Sequence, residues 1–170
     1  MGWLRISLRR TDVTSSVASV GLISRAVVAA LFLLGGGVSS EVQAALEKQP
    51  LSFLTDSGKH TITVEVADTE AARNTGLMFR QSLGDNEGMI FIYPNEQPIS
   101  MWMRNTYISL DMIFVRANGV ISRIETGTEP FSERVIESGG NVLAVIEMKA
   151  GSAARLGLKP GGKVIHPAFK

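Results

Sequence analysis

Between residues 61 and 66 polar and apolar side chains alternate, Ile62, Val64 and Val66 against Thr61, Thr63 and Glu65. A period of two predicts a strand with one face buried. Asp68 follows as an N-cap for a short helix through Glu70, Ala71, Ala72 and Arg73, with Gly76 at the left-handed position that closes it. Met89-Ile90-Phe91-Ile92-Tyr93 is apolar throughout and predicts a strand buried on both faces, ended by Pro94. Leu110, Met112 and Phe114 interleave with Asp111, Ile113 and Val115 in the next strand. Asn118-Gly119 is the strongest hairpin signal of the chain, because both residues tolerate positive φ, and Val120 to Glu125 is the returning strand. Val142 to Met148 predicts a further strand. Gly151-Ser152 begins a second short helix, with Ser152 as N-cap and Gly157 as the stop, and Pro160-Gly161-Gly162 turns into a last strand near Val164-Ile165. Short strands separated by turn signals predict an all-β fold, a barrel or a jelly-roll-like sandwich, with two short helices.

The first 44 residues follow a different pattern. Arg5, Arg9, Arg10 and Arg25 precede an apolar run from Ala26 to Leu34, which Gly35, Gly36 and Gly37 break. Small residues follow, and Val42-Gln43-Ala44 provides the small positions that signal peptidase reads. A positive start, a short apolar centre and a small-residue exit predict a secretory signal peptide over residues 1–44 and a periplasmic or secreted product. The apolar run is too short to span a bilayer comfortably, so no stable membrane span is expected after cleavage; an uncleaved anchor is the alternative. Arg9-Arg10 lacks the apolar follow-up of a twin-arginine signal, since Thr11-Asp12-Val13 stands there. Residues 45–50 read as a short linker and 51–170 as one β-rich domain, which a chain of 170 residues accommodates.

Charge narrows the partners. Beyond residue 44 the chain holds 13 basic and 14 acidic side chains, which gives no electrostatic footprint for nucleic acid. The chain has no cysteine, which removes disulfides, thiolate metal sites, thiol nucleophiles and lipoprotein acylation. Its two histidines, His60 and His166, lie far apart and do not make a metal site by themselves, and no cofactor is expected. Six of the seven methionines, Met78, Met89, Met101, Met103, Met112 and Met148, offer thioethers that bind Cu(I) when clustered, but flexible core filling is the commoner use. No Gly-x-Ser-x-Gly elbow and no Gly-rich phosphate loop is present.

Five segments occur in a recognisable order. Gly76-Leu77-Met78-Phe79-Arg80 is followed by Gly88-Met89-Ile90-Phe91, by Met101-Trp102-Met103-Arg104-Asn105-Thr106, by Leu110-Asp111-Met112-Ile113-Phe114, and by Val145-Ile146-Glu147-Met148-Lys149-Ala150-Gly151. From about Leu51 onward the chain resembles the domain-of-unknown-function 192 family. The resemblance implies a compact all-β domain, jelly-roll or barrel-like, often exported, and implies no activity. Tyr107-Ile108-Ser109-Leu110-Asp111 departs from the pattern, which often has a proline before the leucine.

The candidate site gathers residues whose chemistry exceeds what a fold needs. Trp102, Arg104, Asn105 and Thr106 fall in a stretch without clean alternation, between Pro98 and the strand at Leu110, and loops carry function. Trp presents a flat apolar face, Arg a fixed fork of donors, and Asn both donates and accepts. Against that stands local use: Trp102 as a plug at a barrel end, Asn105 and Thr106 paired with backbone. Asp111 and Glu147 sit inside apolar strands, and a carboxylate there is costly to bury unless paired. Ion pairs of Arg80 or Arg104 with Asp111 or Glu147 are the favoured expectation.

Three readings of function follow. The first is a binding module for a small polar ligand or an envelope component, its mouth formed by Arg80, the Trp102–Thr106 loop and Asp111. The second is a hydrolase acting on a carbohydrate or cell-wall polymer, with Asp111 and Glu147 as acid and base within about 5–10 Å of each other. The third is a structural or partner-binding domain without a ligand.

Overall fold

The structure is a computed structural model that describes residues 45–170; the signal peptide expected over residues 1–44 lies outside them. Seven strands and two short helices follow one another as β1 (Lys48–Thr55), β2 (Gly58–Ala67), α1 (Glu70–Thr75), β3 (Glu87–Met101), β4 (Leu110–Val115), β5 (Ile121–Glu125), β6 (Ile136–Lys149), α2 (Ser152–Arg155) and β7 (Lys163–Ile165). They form one sheet in the order β5-β4-β6-β3-β2-β1-β7. All pairs are antiparallel except β2 with β3, which run parallel because α1 lies in the crossover between them. The all-β expectation holds, as a sheet curled into a half-barrel.

The two edges of the curled sheet meet at one end. Val120 bridges Lys163, and Val164 donates to the Gly119 carbonyl at 2.8 Å. Gly119 makes this approach possible. Its φ is +75°, and a Cβ there would stand 2.6 Å from the Val164 carbonyl oxygen. The hairpin expected at Asn118-Gly119 is present, but only Gly119 takes positive φ. Asn118 instead accepts from the Val120 amide through its side chain at 3.1 Å.

The sheet has a core on each face. Leu51, Phe53, Ile62, Val64, Ile90, Ile113, Ile146 and Val164 pack on the inner face, with Leu156 beyond α2 closing over them. Met89, Phe91, Met112, Phe114 and Val145 pack on the outer face beneath Ala72, Leu77, Leu83, Met103 and Ile136. This double covering explains the patterning. All six residues of β4 are buried, whereas in β2 Ile62 and Val64 are buried and Thr61 and Thr63 are exposed. Each fully buried side chain of this size contributes roughly 1.5–3 kcal/mol.

Several boundaries differ from the sequence expectation. The stretch 45–50 is not all linker, because β1 begins at Lys48 and pairs with β2 across eight residues. Thr69, not Asp68, caps α1, its hydroxyl accepting from the Ala72 amide at 3.2 Å. Pro94 does not end its strand. The ladder to β6 breaks between Ile92 and Gln97, bulges past the proline, and resumes. At α2 the N-cap is Gly151 in the left-handed conformation, and Ser152 is already inside the helix.

Candidate functional site

Register places five side chains in one row across the outer face. Glu65 lies opposite Met89, Met89 opposite Glu147, Glu147 opposite Met112, and Met112 opposite Glu125. Directly opposed residues share a face and stand about 4.5–5.5 Å apart, so glutamates alternate with methionines from β2 to β5. The two outer glutamates are matched. Glu65 receives both terminal nitrogens of Arg80, one at 2.8 Å. Glu125 receives Arg123 and Arg134, and these guanidiniums, the Arg134 hydrogen bond foremost, hold its carboxyl below the ordinary range.

The central glutamate has no such match. Glu147 is 4% exposed, and among the described residues no side chain hydrogen-bonds its carboxyl. Burial alone pushes its pKa up from 4.5 to about 8. Glu147 is therefore mostly a neutral acid at pH 7, able to donate one hydrogen bond and to accept others.

Above Glu147 the outer layer opens into a cavity of about 290 Å³. Tyr93 and Met101 of β3, Trp102 and Thr106 of the following loop, and Arg73 and Met78 from and just after α1 contribute to its wall. Arg73 is tethered by the Asp68 and Ile92 carbonyls, at 2.8 Å for the latter, and its guanidinium lies 5.1 Å from the Tyr93 ring centre. The Tyr93 hydroxyl points to the Met101 sulfur at 3.9 Å, and its pKa is raised, chiefly by burial. The wall thus combines aromatic faces, thioethers and a few polar groups around one unpaired acid, the composition expected of a small-molecule pocket.

Trp102, Thr106 and Glu147 come together around this cavity. Trp102 is 47% exposed at the rim, and Thr106 is buried with its hydroxyl on the Arg104 carbonyl at 3.2 Å. Arg104 points away from Glu147. It covers the Trp102 ring at 5.3 Å and pairs with Glu133 at 3.2 Å, and both charges are exposed. Asn105 takes φ +55°, and its carbonyl accepts from the Phe79 amide at 2.8 Å. Arg80 lies in a separate depression with Glu65 and Ala45, beyond Thr75-Gly76.

The ion pairs expected for Asp111 and Glu147 are corrected by the structure. Asp111 is fully buried, and its two carboxylate oxygens accept from the Gly127 amide at 2.9 Å and the Ala153 amide at 2.8 Å. Backbone donors replace the expected arginine, and Asp111 supplies from β4 the side-chain cap that Gly151 cannot give α2. Asp111 also lies opposite Met148 while Glu147 lies opposite Met112. Successive side chains alternate between faces, so the two carboxyls point to opposite sides of the sheet. They do not form the acid–base pair of the hydrolase reading, and Asp111 does not line the cavity.

Sequence reasoning missed Arg73, Met78, Tyr93 and Met101 as cavity walls. Five of the six singled-out methionines belong to the outer layer, with Met148 on the inner side. Also missed was an exposed aromatic trio. Tyr107 lies 6.3 Å from Phe79 and 5.1 Å from Phe131 between ring centres, and both phenylalanines hold positive φ. Among the described residues no three His, Asp or Glu side chains gather as a metal site, and no helix is long and apolar enough to cross a membrane.

A family model for domain of unknown function 192, described as "Uncharacterized ACR", matches residues 52–166. A solved structure from Sinorhizobium meliloti, whose description proposes a transcription regulator, is similar at 36% identity and a TM-score of 0.72, over 75% of this chain and 99% of that one. A protein of unknown function from Novosphingobium aromaticivorans is similar at 42% identity and a TM-score of 0.71, over 74% of this chain and 89% of that one. No curated protein matches the chain.

Proposed function

The chain belongs to the domain-of-unknown-function 192 family, and from that premise we propose that it is a binding module that holds a small polar ligand in the outer-face cavity above Glu147. One observation carries this reading: of three glutamates in one row, only the central one lacks a partner among the described residues, and it faces a cavity. Among the described residues the other buried side-chain polar atoms are satisfied except His166 Nε2, which does not line this cavity, and a carboxyl left without a partner beneath a cavity supports the binding of something else there. The regulator description of the S. meliloti relative suits this chain less well. Its 13 basic and 14 acidic side chains beyond residue 44 offer no excess charge to a phosphate backbone.

The reading is tested by a small-molecule screen on the purified protein, followed by amide chemical-shift mapping. Binding that shifts Glu147, Tyr93 and Trp102 together supports it. Hits that bind only elsewhere, at the Arg80 depression or the aromatic trio, overturn it.

Export belongs to the same proposal. Cleavage after Ala44 leaves a mature end three residues ahead of β1, so no part of the sheet is lost. N-terminal sequencing of the protein recovered from a bacterial periplasm should begin at Ala45; an intact Met1 terminus in the cytoplasm refutes it.

A further inference from the structure

Resting on that reading, we infer that the ligand is an organic cation: a protonated amine or quaternary ammonium on a small apolar body, its charge seated on Glu147. The row supplies the pattern. Glu65 meets Arg80, and Glu125 meets Arg123 and Arg134, so this face matches each acid with a cation wherever the chain provides one. At Glu147 the described residues provide none. Its cross-strand neighbours are Met89 and Met112, which carry no charge. Of the charged groups that α1 brings to the cavity, Glu70 is acidic and Arg73 is committed to two carbonyls and the Tyr93 ring. Tyr93 is the one titratable group that β3 adds, and Trp102 and Thr106 from the loop carry no charge.

The wall suits the rest of such a ligand. Aromatic faces attract cations and their polarised methyl or methylene groups, and thioethers pack softly around alkyl carbon. Tyr93 and Trp102 already show that affinity, each holding an arginine about 5 Å from its ring centre. An anion would meet a buried acid with no free cation beside it and is excluded. A neutral ligand would leave Glu147 protonated and gain an ordinary hydrogen bond, whereas a cation gains an ion pair with the carboxylate, and a protonated amine a charge-assisted hydrogen bond as well.

Seating a cation requires Glu147 to release its proton. Because the carboxyl titrates near 8, cation affinity should rise about tenfold per pH unit from pH 5.5 to 7.5 and level off above 8. The proton leaves to solvent, so calorimetry in two buffers of different ionisation enthalpy should count close to one proton released per cation bound at pH 6.

The test uses benzylamine, cyclohexylamine and tetramethylammonium against their uncharged analogues benzyl alcohol, cyclohexanol and tert-butanol, by chemical-shift titration of the whole protein. The expected result is that the cations shift Glu147, Tyr93 and Trp102, bind roughly eightfold tighter at pH 7.5 than at 6.5, and lose that dependence in Glu147→Gln. Uncharged analogues that bind the cavity as tightly as the cations, or cations whose affinity ignores pH, overturn the cation assignment while the binding-module reading stands. Shifts at the cavity from neither set, with the general screen also finding nothing there, overturn both.

Discussion

Replacing Glu147 by Gln should make the protein more stable, by an amount that grows with pH. The exchange keeps the shape of the side chain and removes its titration. In the folded state the Glu147 carboxyl titrates near 8 because burial disfavours its charge; in the unfolded chain it returns to about 4.5. Between those values the native state holds a proton that the unfolded state releases. The native form therefore binds more protons, and wild-type stability falls as pH rises through that window. Each pH unit costs about 1.4 kcal/mol. Relative to pH 4.5, the loss reaches about 3 kcal/mol at pH 7 and about 4 kcal/mol at pH 8. Against a typical total of about 5–15 kcal/mol, that is a large fraction.

Urea unfolding of both proteins at pH 5, 6, 7 and 8 measures this. The two should be close at pH 5, and the variant should be ahead by about 3 kcal/mol at pH 7, with equal denaturant slopes. Taking the difference removes the groups common to both proteins, including His166, whose titration has the opposite sign. A gap that stays constant with pH would show that Glu147 is charged in the folded state and has a partner, which would refute the picture of an unmatched acid.

Other substitutions should separate the roles of neighbouring residues. Asp111→Ala strands two buried amides and should cost about 3–5 kcal/mol, with Asp111→Asn losing roughly half of that because one acceptor oxygen remains; an Ala midpoint close to wild type would refute the capping role. His166 is buried, with Nδ1 accepting from Ala168 and Nε2 unpaired, and burial lowers its pKa from 6.5. Its native state resists protonation, so its contribution is complete above pH 6.5 and is lost as pH falls below it; His166→Gln should flatten the acid limb of the stability profile between pH 6.5 and 5. Asn105 holds φ +55°, so Asn105→Ala should be less stable than Asn105→Gly by about 1 kcal/mol in thermal unfolding, and equal stabilities would refute a left-handed backbone there.

Much of the fold was legible because burial leaves a period. Ile62, Val64 and Val66 alternate with polar residues because much of the outer side of β2 remains accessible. Met89 to Phe91 and the whole of β4 lose alternation because α1 and the loops around Leu77, Leu83 and Met103 cover the outer face as well. Pro94 misled because a proline stops a regular ladder but is tolerated in a bulge, and β3 bulges there. The caps moved by one residue, from Asp68 to Thr69 and from Ser152 to Gly151, which is the usual resolution of local rules. The parallel pairing of β2 with β3 left no local trace, since it depends on how α1 returns the chain.

The site was legible in its chemistry and illegible in its partnerships. Asp111 and Glu147 both stood out as carboxyls in apolar strands, but sequence treats them alike. Register separates them: one faces inward onto amides 16 and 42 residues away, the other faces outward into a cavity. That difference is what makes Glu147 informative. Asp111 contributes to stability through its hydrogen bonds, so its presence needs no ligand to explain it. Glu65 and Glu125 are matched by arginines and likewise explain themselves. Glu147 lowers stability at neutral pH, and glutamine or leucine in its place would remove that cost. A destabilising acid held between two methionines, under an open cavity, is the trade that binding sites make and structural positions do not. The weight of the functional reading therefore rests on Glu147, and the exposed Arg104–Glu133 pair beside it, whose net contribution is small, adds little.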